Sequence, residues 1–241
     1  MRITLALIAV AALLPAQGTL KIVVKWDGDA PKPKALVLPA DFVKRNPDEA
    51  AFCDACAKKG KLLDETLVVD PKTKGIRDVA ISLDGPRSSR DQLPPQVTLD
   101  NEHCRFSPRV AWVPIGSPLI VKNSDKFTHN ARISARGRRQ FWNALVPGGA
   151  SVNTYPVTIG GVYRVVCDVH PWMKAWVIGT RNHWVGVTPK SGVVQFKDVS
   201  SPRPVKVHLW HPHLGRARVR VEVERGKEVL KSLTQKDFKK L

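Results

Sequence analysis

The stretch "VYRVVCDVHPWMKAWVIG", residues 162–179, carries a thiol, an imidazole and a thioether at intervals of three: Cys167, His170 and Met173. An apolar run stands on each side. Cysteine and methionine are ordinary core fillers, and a histidine at a strand end is commonly a satisfied polar group, so the plain reading is a core strand. The other reading is a metal loop. Thiolate and thioether ligands select copper, imidazole suits it too, and two histidines, a cysteine and a weak axial methionine make up a blue-copper electron-transfer site. The stretch holds three of those four ligands. The reading therefore requires one more histidine upstream, on another strand.

Of the seven histidines, His103, His129, His170, His183, His208, His211 and His213, one stands in that context. In "SPLIVKNSDKFTHNARISA" an apolar strand runs into a polar turn, then His129 and Asn130, then another strand. The 38 residues from His129 to Cys167 leave room for strands to run away and return. One pole of a β-sandwich can then gather both segments, and closing a loop of that length is entropically tolerable.

The chain of 241 residues suffices for one large or two small domains, and 43% hydrophobic residues support a packed core. Residues 1–18, "MRITLALIAVAALLPAQG", read as a secretory signal: Arg2 is the charged start, 3–14 the apolar run, and Ala16 and Gly18 the small residues for cleavage. That run is too short to span a bilayer and no later run is longer. The expected mature protein is periplasmic or secreted, soluble or peripherally attached, in an oxidising compartment, with no transmembrane segment. A net charge of +18 would ordinarily raise nucleic acid as a partner. Export argues against that and leaves an acidic redox protein or an anionic envelope surface, which opposite charge would steer; a merely solvated basic surface is the plain alternative.

Most of the chain reads as short strands rich in β-branched and aromatic residues between Gly, Pro, Asn and Asp clusters. They include "TLKIVVKW", "ETLVVD", "DVAISL", "RVAWVPI", "VYRVVC", "KAWVIG", "VKVHLW" and "RARVRVEV". The fold class is mainly β, of the sandwich or barrel kind. One helix is expected in "NPDEAAFCDACAKKG", with Asn46 as N-cap, Pro47 at the first position, Glu49 as capping-box partner, Lys58 and Lys59 in the last turn and Gly60 after it. A weak break falls near residues 180–183. Beyond it come 13 Lys and Arg against 5 Asp and Glu, read as a small second β module; extra strands on one sandwich are the alternative.

The pairing of "NSDKFTHN" with "CDVHPWM" resembles the cupredoxins, the small blue copper proteins, and most of all their amicyanin- and plastocyanin-like members. The likeness covers roughly residues 110–180. It implies a cupredoxin-like Greek-key β-sandwich with the short helix in an N-terminal insertion. One copper ion would be held by His129, Cys167, His170 and Met173. Asn130 would tie the two ligand segments together, with a plain turn role as its alternative. His170 would lie near the surface, with Pro171 and Trp172 helping to form an apolar patch where a redox partner docks; a core role is the alternative for Trp172. "ARISARGRRQ" adds Arg132, Arg136, Arg138 and Arg139, which would steer an acidic partner or simply be solvated.

A looser likeness in "LLDETLVVD", "CRFSPRV", "FWNALVPGG" and "WHPHLGRARVRVEV" is to exported bacterial plastocyanin-like proteins with a carboxypeptidase-regulatory-like β module. It implies a signal over 1–18, a copper domain over 19–181 and a small β-sandwich over 182–241. Two departures are Arg109, where that family usually has His, and Pro212, where it has an acid. The likeness also favours a disulfide from Cys104 to a helix cysteine, Cys53 or Cys56, leaving one thiol.

Rival chemistries are weaker. Cys53–Cys56 is a C-x-x-C followed by Ala57, so the haem-attachment signature fails. Zinc on Cys53, Cys56, Cys104 and His103 is conceivable, as is a second metal on His208, His211 and His213, though strand-turn histidines need no metal. No Ser-His-Asp order, paired acids or phosphate loop stands out, and the chain is not expected to be an enzyme. Two classes stay open: an exported one-electron copper carrier, and an exported copper-binding or surface-binding β module without redox turnover.

Overall fold

The computed structural model describes residues 18–32, 34–60, 62–84, 96–135, 140–199, 201, 203–224 and 226–240. Residues 1–17 of the expected signal, and Arg136, Arg138 and Arg139, lie outside them. Among the described residues the chain runs β1 (Gly18–Lys25), α1 (Ala40–Arg45), α2 (Pro47–Lys58), β2 (Ala80–Asp84), β3 (Val97–Asn101), β4 (Phe106–Ser107), β5 (Val110–Pro114), β6 (Leu119–Asn123), β7 (His129–Ala135), β8 (Gln140–Val146), β9 (Ser151–Asn153), β10 (Gly161–Val166), β11 (Lys174–Thr180), β12 (Val185–Val187), β13 (Val193–Val199), β14 (Val205–His211), β15 (Gly215–Val221) and β16 (Glu228–Thr234). The fold is mainly β, as expected.

Two sheets, in orders β5-β11-β10-β7-β8 and β4-β3-β6-β9, enclose one core. Leu99, Val113, Val121, Ile133, Val165 and Val177 fill it, with Cys167 and Met173 at one end. Parallel pairing of β3 with β6 and of β5 with β11 makes the chain cross between sheets instead of folding into local hairpins. Local antiparallel pairs remain at β3–β4, β7–β8 and β10–β11, the last joined by residues 167–173.

A second sandwich pairs the sheets β13-β1-β16 and β12-β2-β14-β15 over Leu20, Ile22, Val24, Ile81, Leu83, Phe196, Val207 and Leu209. The sheets therefore do not divide at residue 182. Strand β1 lies between β13 (antiparallel) and β16 (parallel), and β2 pairs with β12 and β14. Without those neighbours β1 would expose its apolar face and two rows of unpaired backbone groups. Ala80, Val110 and Ile178, with Trp112 and Trp210, pack where the two sandwiches meet.

Helix α2 begins with Pro47 at its first position, and Gly60 just beyond it has φ +67. The expected capping box is absent: Asn46 makes no side-chain cap bond and instead donates from Nδ2 to the Phe42 carbonyl. Helix α1 was not expected. "ETLVVD" forms no strand, only a bridge from Val69 to Ile76. The helix pair is fastened to the first sandwich by a disulfide between Cys53 and Cys104, packed with Cys56 and Leu62. This selects Cys53 from the two helix cysteines and removes the conceivable zinc site.

Candidate metal centre

Strand register explains how the ligand segments meet. Arg132 on β7 pairs with Val166 on β10. Continuing that antiparallel ladder brings Asn130 and His129 alongside the residues that follow Val166. The seven residues 167–173 then turn, with Met173 N–H donating to the His170 carbonyl and Cys167 N–H to the Met173 carbonyl. His129 Nδ1, Cys167 Sγ and His170 Nδ1 converge, and one ligand atom from each residue lies within 4.8 Å of the others. The two Nδ1 atoms are 3.0 Å apart, and Sγ is 3.8 Å from Nδ1 of His170. All three residues are buried, as is Met173 at the end of the turn.

The surroundings fix these side chains. Asn130 donates its backbone N–H toward Cys167 Sγ at 3.5 Å. Its side chain accepts from the Asp168 N–H and donates to the Asp168 carboxylate, so it ties the two segments together. His129 Nε2 meets Asp125 Oδ2 at 3.0 Å, and Asp125 also accepts from the backbone of His103 and Cys104. Asp125 was not singled out in the sequence, although an acid four residues before the candidate histidine was visible in "DKFTH".

Burial disfavours the imidazolium of His129, but its bonds to Asp125 and the Cys167 sulfur outweigh that and push its pKa up to about 9. Burial, then the charge of His129, holds His170 down to about 3. A cation held by the same groups would meet two nitrogen lone pairs and a thiolate, a donor set that fits copper.

One expectation fails. His170 is 0% exposed. The Phe42 ring of α1 covers it at 5.1 Å, and Phe42 also meets Trp172 edge-on at 4.8 Å. Trp172 is only partly exposed and donates its indole N–H to the Cys104 carbonyl. Pro171 is exposed, but among the described residues the histidine edge is covered by the Phe42 ring of the helix pair. The guanidinium of Arg132, in an exposed ion pair, makes three contacts of 2.8–3.1 Å with the Asp168 carboxylate.

Arg109 is buried, bonds Asp78 at 3.3 Å and lies 4.8 Å over the Trp176 ring. With Pro212, Met173 and Trp172 it lines a cleft of about 410 Å³ between the sandwiches.

The three C-terminal histidines do not gather. His208 bonds Asp84 and Arg218, His213 is exposed, and His211 is buried with Nδ1 accepting from the backbone of His213 and Leu214. Burial, then the charge of Arg109, lowers His211 to about 3. The unfolded chain therefore takes up this proton below the ordinary histidine value of 6.5 while the folded chain does not. Stability from His211 is complete above pH 6.5 and lost as pH falls, by roughly 2–3 kcal/mol at pH 4.5. His211→Asn is expected to be less stable at pH 7.5, with the gap to wild type shrinking at pH 4.5. Urea midpoints at both pH values check this; a constant gap refutes it.

No family model and no curated protein matches the chain. Solved structures to which it is similar in part include the following three. A Cu-containing nitrite reductase from Thermus scotoductus SA-01 is 23% identical over 41% of this chain and 25% of that one, with TM-score 0.33. A purple cupredoxin from Nitrosopumilus maritimus is 20% identical over 35% and 100%, TM-score 0.32. Amicyanin from Paracoccus versutus is 18% identical over 42% and 97%, TM-score 0.33. The chain spans a quarter of the nitrite reductase's length.

Proposed function

We propose that the chain is a copper protein acting in one-electron transfer, in which His129, His170 and Cys167 would hold one ion and Met173 would supply a weak thioether donor. The observation that carries this reading is the convergence of three buried soft and borderline donors within 4.8 Å. Copper, when bound, would supply the one-electron couple. The residues would do the rest. Asp125 holds the proton on Nε2 of His129 and so directs its Nδ1 inward. The Asn130 N–H stabilises negative charge on the Cys167 sulfur, and buried strand ends keep the ligands from rearranging between oxidation states.

The deciding experiment is the visible spectrum after adding Cu(II): an intense thiolate-to-copper band supports the reading, and its absence refutes it. Met173→Leu should keep the band and raise the reduction potential, because a weaker axial donor stabilises the oxidised ion less. The repacking cost should stay below about 1.5 kcal/mol. An unchanged potential in protein-film voltammetry would mean that Met173 only fills the core.

The disulfide supports export into an oxidising, periplasmic or secreted setting. For partners, exposed Lys206, Arg216, Arg218 and Arg220 on β14 and β15 support an acidic redox protein or an anionic envelope surface. A second reading, copper holding without redox turnover, is favoured by the covered edge of His170. Slow reduction of the copper-loaded protein by small-molecule reductants would select it.

A further inference from the structure

Glu49 was expected to cap α2, yet its carboxylate turns toward the metal centre. Its Oε2 lies 3.3 Å from His170 Nε2. Both atoms are buried, and neither makes a hydrogen bond in this geometry, so each is the nearest polar group that could satisfy the other. A buried carboxylate oxygen and a buried imidazole nitrogen left apart would each lack a partner, which is costly. His170 turns Nδ1 toward Nδ1 of His129, 3.0 Å away, and this leaves Nε2 as the ring nitrogen that faces Glu49.

We infer that Glu49 is a positioning residue for His170. Its carboxylate accepts the Nε2–H, fixes the tautomer and aims Nδ1 at the metal position. It does for His170 what Asp125 does for His129, from a helix 121 residues away in sequence. Each histidine is thus backed by a carboxylate, an arrangement that raises ligand basicity and orients the ring. The helix pair is then part of the centre: Phe42 covers the His170 ring, Glu49 holds its far nitrogen, and the Cys53–Cys104 bond pins both. The metal-affinity arm below rests on the copper reading, whereas the proton arm does not.

The test uses ¹⁵N-histidine-labelled, metal-free protein. The expected result is a slowly exchanging His170 Nε2–H signal, kept in Glu49→Gln, whose amide oxygen still accepts, and lost in Glu49→Leu. Cu(II) affinity is expected to fall about 10- to 100-fold in Glu49→Leu and to change less than about threefold in Glu49→Gln. A wild type without the protected signal overturns the inference even if the leucine variant fails to fold. So does a leucine variant with wild-type signal and affinity. Phe42→Ala loosens the cap and leaves the acceptor in place; if it reproduces both losses, Glu49 acts only through packing and the inference falls. If wild type binds no copper, the copper reading fails while the proton signal still decides the role of Glu49.

Discussion

Cys167→Ser is expected to abolish the visible absorption of the copper-loaded protein while leaving the fold intact. Serine is nearly isosteric, and the position is 2% exposed at the end of a packed sandwich, so the backbone turn from Cys167 to Met173 should survive. What disappears is the thiolate, which supplies both the absorption band and the soft donor that selects copper. Affinity should fall by more than about 100-fold, beyond the 10- to 100-fold typical of losing a supporting group behind a ligand. The control is Cys56→Ser. That thiol is also buried, but it packs with Leu62 and the disulfide beneath the helices and is not one of the three convergent donors. Its loss should leave the band unchanged. A Cys167→Ser protein that keeps its colour would falsify the ligand set, and a Cys56→Ser protein that loses it would point to the wrong thiol.

Removing the disulfide is expected to be the largest single loss of stability. Cys53 and Cys104 are 51 residues apart. In the chain-entropy model a loop of that size contributes about 4 kcal/mol by restricting the unfolded chain. For a chain of this length that corresponds to roughly 8–16 °C in melting temperature. The Cys53→Ser/Cys104→Ser double variant avoids a replacement bond through Cys56. Calorimetry of the metal-free protein measures the shift, and a change under about 3 °C would refute the estimate. The damage should also reach the centre. Cys104 N–H bonds Asp125, which holds His129, and the Cys104 carbonyl accepts from Trp172, which packs on His170 at 5.1 Å. Copper should accordingly dissociate faster from the double variant than from wild type, as stopped-flow chelation would show.

Several features could be read locally. The β10–turn–β11 unit is legible because two apolar runs flank a seven-residue turn, and covalent spacing alone keeps Cys167, His170 and Met173 together. His129 is legible because a polar turn before a strand is a local pattern, and the charge and mainly β character follow from composition. Strand β8, "QFWNALV", and strand β16, "EVLKSLT", were not anticipated, because each breaks the apolar alternation with Asn, Ala, Lys or Ser. β16 exists because β1, more than 200 residues away, offers it a parallel edge. That pairing also draws β1 into the second sandwich, across the boundary that composition suggested at 182.

The centre divides in the same way. The sequence by itself carried the candidate donor types and their order, since these depend on side-chain chemistry and local spacing, while Asn130 as the tie came only from the resemblance to cupredoxins. Only the tertiary structure decided that Cys53 takes Cys104, that His170 is covered and that Glu49 stands behind it. Nothing in "NPDEAAFCDAC" distinguishes a capping glutamate from one that reaches a distant imidazole, or one cysteine of the helix from the next. Those choices follow from which face of α2 meets the sandwich. That face is set by burying Phe42, Leu62 and Cys53 against Trp172 and Cys104, a collective gain in buried apolar area that no short window of sequence contains.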